Sequence, residues 1–316
     1  MVIKNGVKGS LNLKIVCTVY YGLSFGTKSN DKMDQRIINL YDEYTHAPLG
    51  REDFLKRLAL LTGSTAAALS ILPLLEGNYA IGQTRDGDDD LHTERVTWPV
   101  DGGEMKGYLA RPKKKGKYPA VIVIHENRGL NPHIEDVTRR AAKAGYVALG
   151  PDALSLLGGT PANEDEARAL FAKLDNNKNT ANFAAAVPYL TSRSDCSGKV
   201  GCVGFCWGGA MANQLAVHAP QLKAAVAFYG RQAADADVPN IKAALQLHYA
   251  ETDERINAGI AAYEAALKAN NKPYELYMYP GVGHAFHNDT STARYNEAAA
   301  KLAWGRTLEF FKKHLG

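Results

Sequence analysis

Between two apolar stretches the chain reads Gly204-Phe205-Cys206-Trp207-Gly208-Gly209, and no other feature restricts its fold as much. Lys199-Val200-Gly201-Cys202-Val203 precedes it with strand character, and Ala210-Met211-Ala212-Asn213-Gln214-Leu215-Ala216 follows with helical composition. Strand, tight turn and helix with a nucleophilic side chain at the apex is the G-x-S-x-G elbow, here with cysteine in the serine position. The glycines are required because the turn strains its central residue, and flanking side chains would collide with neighbouring backbone. Such a turn lifts the thiol to the top of a sheet, with the next N–H and a helix N-terminus aimed at it.

The remainder of the chain from His92 onward supplies such a sheet. Thr93–Val100 and Glu104–Arg111 read as a hairpin around Asp101-Gly102-Gly103. Strand-like runs follow at Ala120–His125, Tyr146–Gly150, the Cys206 strand, Ala224–Tyr229, Ala243–Tyr249 and Tyr274–Tyr279. Helical segments alternate with them at Pro132–Gly145, Glu164–Lys173, Thr180–Leu190, Asn257–Asn270 and Thr292–His314. Strands apolar on both faces, alternating with helices, imply a mostly parallel central sheet covered by helices on both sides.

The first 90 or so residues differ, which divides the chain into a 1–90 helical extension and a 91–316 catalytic domain. Gln35–His46 carries apolar groups at helical spacing: Ile37, Ile38, Leu40, Tyr41 and Tyr44. Gly50-Arg51-Glu52-Asp53-Phe54-Leu55-Lys56-Arg57 then leads into a mostly apolar stretch, Leu58–Leu75. This resembles a twin-arginine export signal, but Glu52 stands where the second arginine belongs and the segment begins about 50 residues in. Met33 as the true start would shorten that lead. A degenerate signal over 50–75, with a periplasmic protein, and a packed amphipathic extension of a cytoplasmic one both stay open. Thr62, Gly63, Ser64, Thr65 and Ser70 argue against a stable transmembrane span. Residues 81–90 read as a polar linker.

A net charge of +4 over 316 residues, with no basic block beyond Lys113-Lys114-Lys115-Gly116-Lys117, argues against a nucleic-acid partner. Cys17, Cys196, Cys202 and Cys206 form neither a C-x-x-C pair nor a Cys/His ladder, so no metal and no disulfide framework is expected. Cys202 is expected as a buried small apolar residue.

An elbow needs a base and an acid to orient it, and in α/β-hydrolases these follow in the chain order nucleophile, acid, histidine. Strand Ala243–Tyr249 runs into Ala250-Glu251-Thr252-Asp253, and strand Tyr274–Tyr279 runs into Pro280-Gly281-Val282-Gly283-His284-Ala285-Phe286. Asp253 and His284 thus both stand at carboxyl ends of strands, where sites in open α/β sheets gather. The alternative for Asp253 is a helix N-cap, with Glu251 as the reserve acid. The Trp207 N–H, next after the nucleophile, is one expected oxyanion donor, and the loop His125-Glu126-Asn127-Arg128-Gly129 is expected to supply a second.

From about residue 93 to 316 these motifs resemble the dienelactone hydrolase family: the cysteine elbow, the Glu126 loop, Asp253 and Gly283-His284-Ala285-Phe286. A bacterial branch carrying His-Glu-Asn-Arg-Gly-Leu-Asn and Phe-Tyr-Gly-Arg-Gln is the most similar. The resemblance implies an α/β-hydrolase fold and a cofactor-free hydrolase opening a lactone or small ester through a cysteinyl acyl-enzyme. It also implies that Glu126 helps remove the thiol proton and that the Asn127 N–H completes the oxyanion hole. Dienelactone-specific members bind the substrate carboxylate with two arginines, whose positions here hold Leu156 and Asn288. Arg128 or Arg231 is a candidate replacement, and Tyr229 and Phe286 are candidate pocket walls or core residues. His125, His248 and His287 lie near the expected site and read as structural. A broad carboxylesterase is the nearest competing activity. A non-hydrolytic thiol redox sensor or interaction module is the other class, against which the Asp253–His284 pair argues, since a sensor needs no orienting acid.

Overall fold

The computed structural model describes residues 33–47, 49–79, 82–84 and 87–316; Cys17, Ile81, Arg85 and Asp86 lie outside the described residues. Eight strands form one sheet: β1 (Leu91–Val100), β2 (Gly103–Pro112), β3 (Tyr118–Ile124), β4 (Val147–Asp152), β5 (Cys196–Phe205), β6 (Ala224–Phe228), β7 (Ala244–Ala250) and β8 (Tyr274–Tyr279). Their order is β1-β2-β4-β3-β5-β6-β7-β8. β1 and β2 are the expected hairpin, turning on Gly102 and Gly103 in positive-φ conformations. β2 pairs antiparallel with β4, and every later neighbour is parallel. This is the α/β-hydrolase fold with a helical N-terminal extension.

Among the described residues, eleven α-helices accompany the sheet: α1 (Gln35–His46), α2 (Arg51–Thr62), α3 (Thr65–Leu75), α4 (Pro132–Lys143), α5 (Glu164–Phe171), α6 (Asn176–Ala184), α7 (Ala186–Ser192), α8 (Trp207–His218), α9 (Glu254–Asn257), α10 (Ile260–Ala269) and α11 (Glu297–Leu315). Alternation along the central strands splits the core in two. Ile122 and Ile124 of β3 face one layer with Phe183, Leu190, Leu215 and Leu267. Val121 and Val123 face the other with Ile134, Val137, Phe310 and Phe311. Helices α6, α7, α8 and α10 therefore cover one face, and α4 and α11 the other.

Three helices differ from the sequence expectation. The segment Thr180–Leu190 is two helices meeting at Ala185, because Pro188 in the first turn of α7 has no N–H to offer the α6 end. The segment expected from Asn257 begins at Glu254 and breaks at Gly259. The last helix starts at Glu297 rather than near Thr292, because the Asn296 side chain caps it by accepting from Ala299 N.

The apolar stretch Leu58–Leu75 also bends. Gly63 takes φ 84°, Ser64 caps α3, and α2 and α3 meet at 108°. No single helix among the described residues is long and apolar enough to cross a membrane. Instead Leu40, Tyr41 and Tyr44 of α1, Phe54 and Leu58 of α2, and Leu72 and Leu75 of α3 form a third core. Polar contacts tie this unit to the sheet domain. Arg51 pairs with Asp165 at 2.6 Å, Arg294 with Asp42 at 3.5 Å, and Ala293 N donates to Leu74 O at 3.2 Å. The linker is likewise anchored, since Gln83 N and Thr84 N donate to the Asp136 carboxylate at 2.9 and 2.7 Å.

The elbow itself is a backbone-to-backbone contact. A Cβ on Gly204 would lie 1.8 Å from Gly208 O, and one on Gly208 2.4 Å from Ile124 O. Neither neighbour is a side chain able to move. Gly208→Ala should therefore cost about 3 kcal/mol or more, above the usual range for overpacking. Gly305→Ala, in α11 with nothing within 4 Å of its Cβ, should gain about 0.5–1 kcal/mol of helix propensity. Denaturant midpoints at unchanged slope measure both.

Candidate functional site

β3 and β5 are neighbours while β4 lies on the far side of β3, so the chain reverses direction of travel across the sheet between them. Ligands in open α/β sheets bind at such a switch point, outside the carboxyl ends of the strands. Cys206 follows β5 there and Glu126 lies just beyond β3.

Cys206 has φ 56° and ψ −112°, a sparsely populated conformation for a residue with a Cβ. Its N–H is held by Phe228 O at 3.0 Å. Tyr229 (φ 39°) and Ala285 (φ 64°) are also strained, so three of the four non-glycine positive-φ residues among those described surround one site. Trp207 opens α8, so its N–H has no intrahelical acceptor and stays available beside the thiol.

His284 lies with Cys206 at the base of the site, both buried. Its Nδ1 meets Asp253 Oδ2 at 2.5 Å, while its Nε2 makes no hydrogen bond. Asp253 also caps α9 through Oδ1, which accepts from Ile256 N at 3.3 Å, so one carboxylate both bonds the His284 ring and starts a helix. Burial opposes the charged form of His284. The Cys206 sulfur and the Asp253 carboxylate outweigh it, and the imidazole is lifted to about 10. Burial also opposes Asp253, but the bond to His284 and its charge hold the carboxyl below its ordinary value.

A third group arrives from the extension. His46, the last residue of α1, places Nε2 2.9 Å from Cys206 Sγ, and its ring meets that of His284 edge-on at 4.8 Å. Its Nδ1 lies 2.8 Å from Asp42 O. Burial first, and then the charge on His284, keep His46 well below the ordinary histidine range. The sequence places His46 at the end of α1 and gives it no role, because nothing local marks a helix-terminal histidine as belonging to a site 160 residues away.

Two cavities meet at Cys206. One of about 960 Å³ is walled by Trp207, Phe171, Met211 and Tyr229, and carries Arg168, Arg231 and Arg255 with no carboxylate among its described lining residues. The other, about 30 Å³, lies toward Glu126, Arg128, Asn288 and Arg294.

Residues 105–315 match the dienelactone hydrolase family. The chain belongs to that family. A protein from Escherichia coli (strain K12) named "Putative hydrolase fragment YghX" is 52% identical over 112 residues, 34% of this chain and 96% of its own length. Another from the same organism, named "Putative carboxymethylenebutenolidase", is 33% identical over 245 residues, 72% of this chain and 90% of its own. The solved structure described as a "Putative Dienelactone Hydrolase" from Klebsiella pneumoniae subsp. pneumoniae MGH 78578 superposes with a TM-score of 0.64 at 30% identity, covering 71% of this chain and 99% of that one.

Set against the family pattern, the remaining candidates divide. Glu126 Oε2 accepts from Asn288 Nδ2 at 2.8 Å and Oε1 has no partner, so Asn288 positions Glu126 instead of facing the larger cavity. Asn127 spends its side chain on Thr45 O at 2.5 Å. Arg128 is buried in the smaller cavity against Glu164 at 3.4 Å, whereas Arg231 stands exposed in the larger one. Tyr229 packs on His284 at 4.9 Å and lines the larger cavity. Phe286 lines neither cavity and packs with Tyr229 and Tyr279 in the core. His125 stacks on Trp207, with Nδ1 toward Glu126 O and Nε2 accepting from Ala153 N. His248 and His287 are buried among aromatic rings, and burial pushes His287 down to about 3. Cys196, Cys202 and Cys206 are free thiols.

The His284 shift gives a signed pH dependence. Its folded value lies above the ordinary ~6.5, so the native state holds the extra proton between about pH 6.5 and 10. The stability it contributes is complete below about 6.5 and is lost as the pH rises through about 10. NMR of the imidazole should show a charged ring at pH 8 in the wild type, and Cys206→Ala should move its titration downward, since burial then acts with less opposition.

Proposed function

We propose that the protein hydrolyses a lactone or small carboxylic ester through a cysteinyl acyl-enzyme, with Cys206 as nucleophile, His284 as base and Asp253 as its orienting acid. The observation that carries this reading is the strained elbow thiol beside a buried imidazole whose far nitrogen is bonded to a carboxylate. Bond by bond, the thiolate sulfur attacks the carbonyl carbon and the carbonyl oxygen takes the electron pair. The Trp207 and Asn127 N–H groups receive that oxyanion. His284 gives its Nε2 proton to the departing alkoxide, leaving a thioester at Cys206. His284 then takes a proton from water, whose oxygen attacks the thioester; the carbon–sulfur bond breaks, the thiolate beside protonated His284 is restored, and the acid product leaves as a carboxylate with its proton released to solvent. Glu126, held by Asn288 with one oxygen unbonded, assists in drawing the thiol proton.

The catalytic unit begins at about residue 91, with residues before it as the helical extension. The substrate is a small acyl compound that enters by the larger cavity. Arg231, Arg168 and Arg255 give that cavity a positive lining without the two arginines expected at Leu156 and Asn288. This favours an anionic group placed differently from the one in dienelactone. A broad carboxylesterase is the second reading, favoured by the apolar Trp207, Phe171 and Met211 wall.

p-Nitrophenyl acetate should be cleaved, iodoacetamide should abolish this, and Cys206→Ala should lose about 10³–10⁴-fold or more in kcat/KM with its circular dichroism unchanged. A panel of lactones and aryl esters, including cis- and trans-dienelactone, decides between the two readings. If anionic substrates are preferred, Arg231→Ala should raise KM for them about tenfold, equivalent to about 1.4 kcal/mol, and leave neutral esters unaffected. Equal effects on both would remove the anion-binding role.

A further inference from the structure

We infer that His46, Cys206 and His284 form a binding site for a thiophilic divalent transition metal, of which Zn²⁺ is the fitting case, and that its occupancy blocks the thiol. One ring nitrogen of each histidine and the Cys206 sulfur lie within 4.8 Å of one another. Tetrahedral zinc with Zn–S near ~2.3 Å and Zn–N near ~2.0–2.1 Å places its ligand atoms roughly 3.3–3.6 Å apart, so side-chain shifts of about 1 Å suffice. No sequence spacing announces the set, because residues 46, 206 and 284 come from an N-terminal helix, an elbow and a late loop.

The surroundings point the ligand atoms inward. Metal-bound histidines donate their other ring N–H to a carboxylate or a backbone carbonyl, which fixes the tautomer. His284 Nδ1 faces the Asp253 carboxylate at 2.5 Å and His46 Nδ1 faces the Asp42 carbonyl at 2.8 Å. A carbonyl or carboxylate only accepts, so each Nδ1 keeps its proton, and the His284 Nε2 becomes a ligand atom once the proton it shares with Cys206 has left. The buried His284 Nε2 has no nitrogen or oxygen partner and interacts with the Cys206 sulfur. Three ligands with the large cavity opening on all of them leave a fourth position for water. One thiolate and two imidazole donors select zinc over magnesium or calcium.

Binding forms S–metal and two N–metal bonds and releases the proton shared by Cys206 and His284 to solvent, with no change of oxidation state. Arg255 and Arg294 place positive charge near His46 and oppose a cation there, so affinity falls below that of a closed structural site. The lock is therefore reversible, and it exists only because α1 brings His46 to the elbow.

Co²⁺ titrated into the full chain should produce a near-ultraviolet thiolate-to-cobalt band at one equivalent, which Zn²⁺ displaces and a chelator removes. Cys206→Ala should abolish the band. His46→Ala should weaken apparent affinity by at least about 10–100-fold. His46→Gln, of similar size, serves if the alanine variant fails to fold. Because the band reads binding and not turnover, it stands whether or not any ester is cleaved. No band in the wild type, or a band equally strong in folded His46→Ala or His46→Gln protein, overturns the proposal.

Discussion

The close approach of Gly204, Gly208, Gly209 and Gly230 at the end of β5 is the contact on which the rest depends. Cβ atoms at Gly209 and Gly230 would also strike backbone, at 2.5 Å and 2.3 Å, so the strand, the start of α8 and the loop after β6 are pressed together with no side chains between them. That compression bends the chain sharply enough to hold Cys206 at φ 56°, at a cost of about 1–3 kcal/mol. The surrounding parallel strands, buried on both faces, absorb it. In return the thiol stands proud of the sheet while its N–H remains bonded to Phe228 O.

The electrostatics of the site follow from burial around that point. Burial alone pushes an imidazole downward, as it does at His287 and His248. His284 differs because the Cys206 sulfur and the Asp253 carboxylate flank it, and those two charges reverse the effect of desolvation. Asp253 is fixed in turn by capping α9, so a helix start and the orientation of the His284 ring share one carboxylate. The same economy appears at Glu126, one oxygen of which is bonded to Asn288 while the other is left without a partner in the smaller cavity.

The sheet and the order of these parts were legible in the sequence because each rests on local chemistry. Short runs apolar on both faces mark the central strands, glycines mark the elbow, and the loops after β7 and β8 place Asp253 and His284 at strand ends. Helix boundaries were less legible where one residue decides them, as Pro188 does for α7 and Asn296 for α11. The assignment of arginines was less legible still. Arg128 sits in the most suggestive loop yet turns to Glu164, while Arg168 and Arg255, on helices with no motif, reach the larger cavity. Side-chain direction at that scale depends on packing between elements far apart in the chain.

His46 is the clearest instance of that limit. The pattern Ile37, Leu40, Tyr41, Tyr44 tells that α1 has a buried face but not what lies beneath its last turn. Only docking against α5 and the loop before α11 determines it: Arg168 donates to Tyr44 O, its guanidinium stacks 4.0 Å over the Tyr44 ring, and Arg294 pairs with Asp42. These contacts fix the C-terminal turn of α1 above the elbow, with Thr45 O taking the Asn127 amide and His46 the thiol. Covering the Cys206 thiol in this way removes water from one side and strengthens every charge interaction that remains. The extension is thereby part of the site's electrostatics and not merely an added core, and any change that loosens α1 must alter the environment of Cys206 and His284 together.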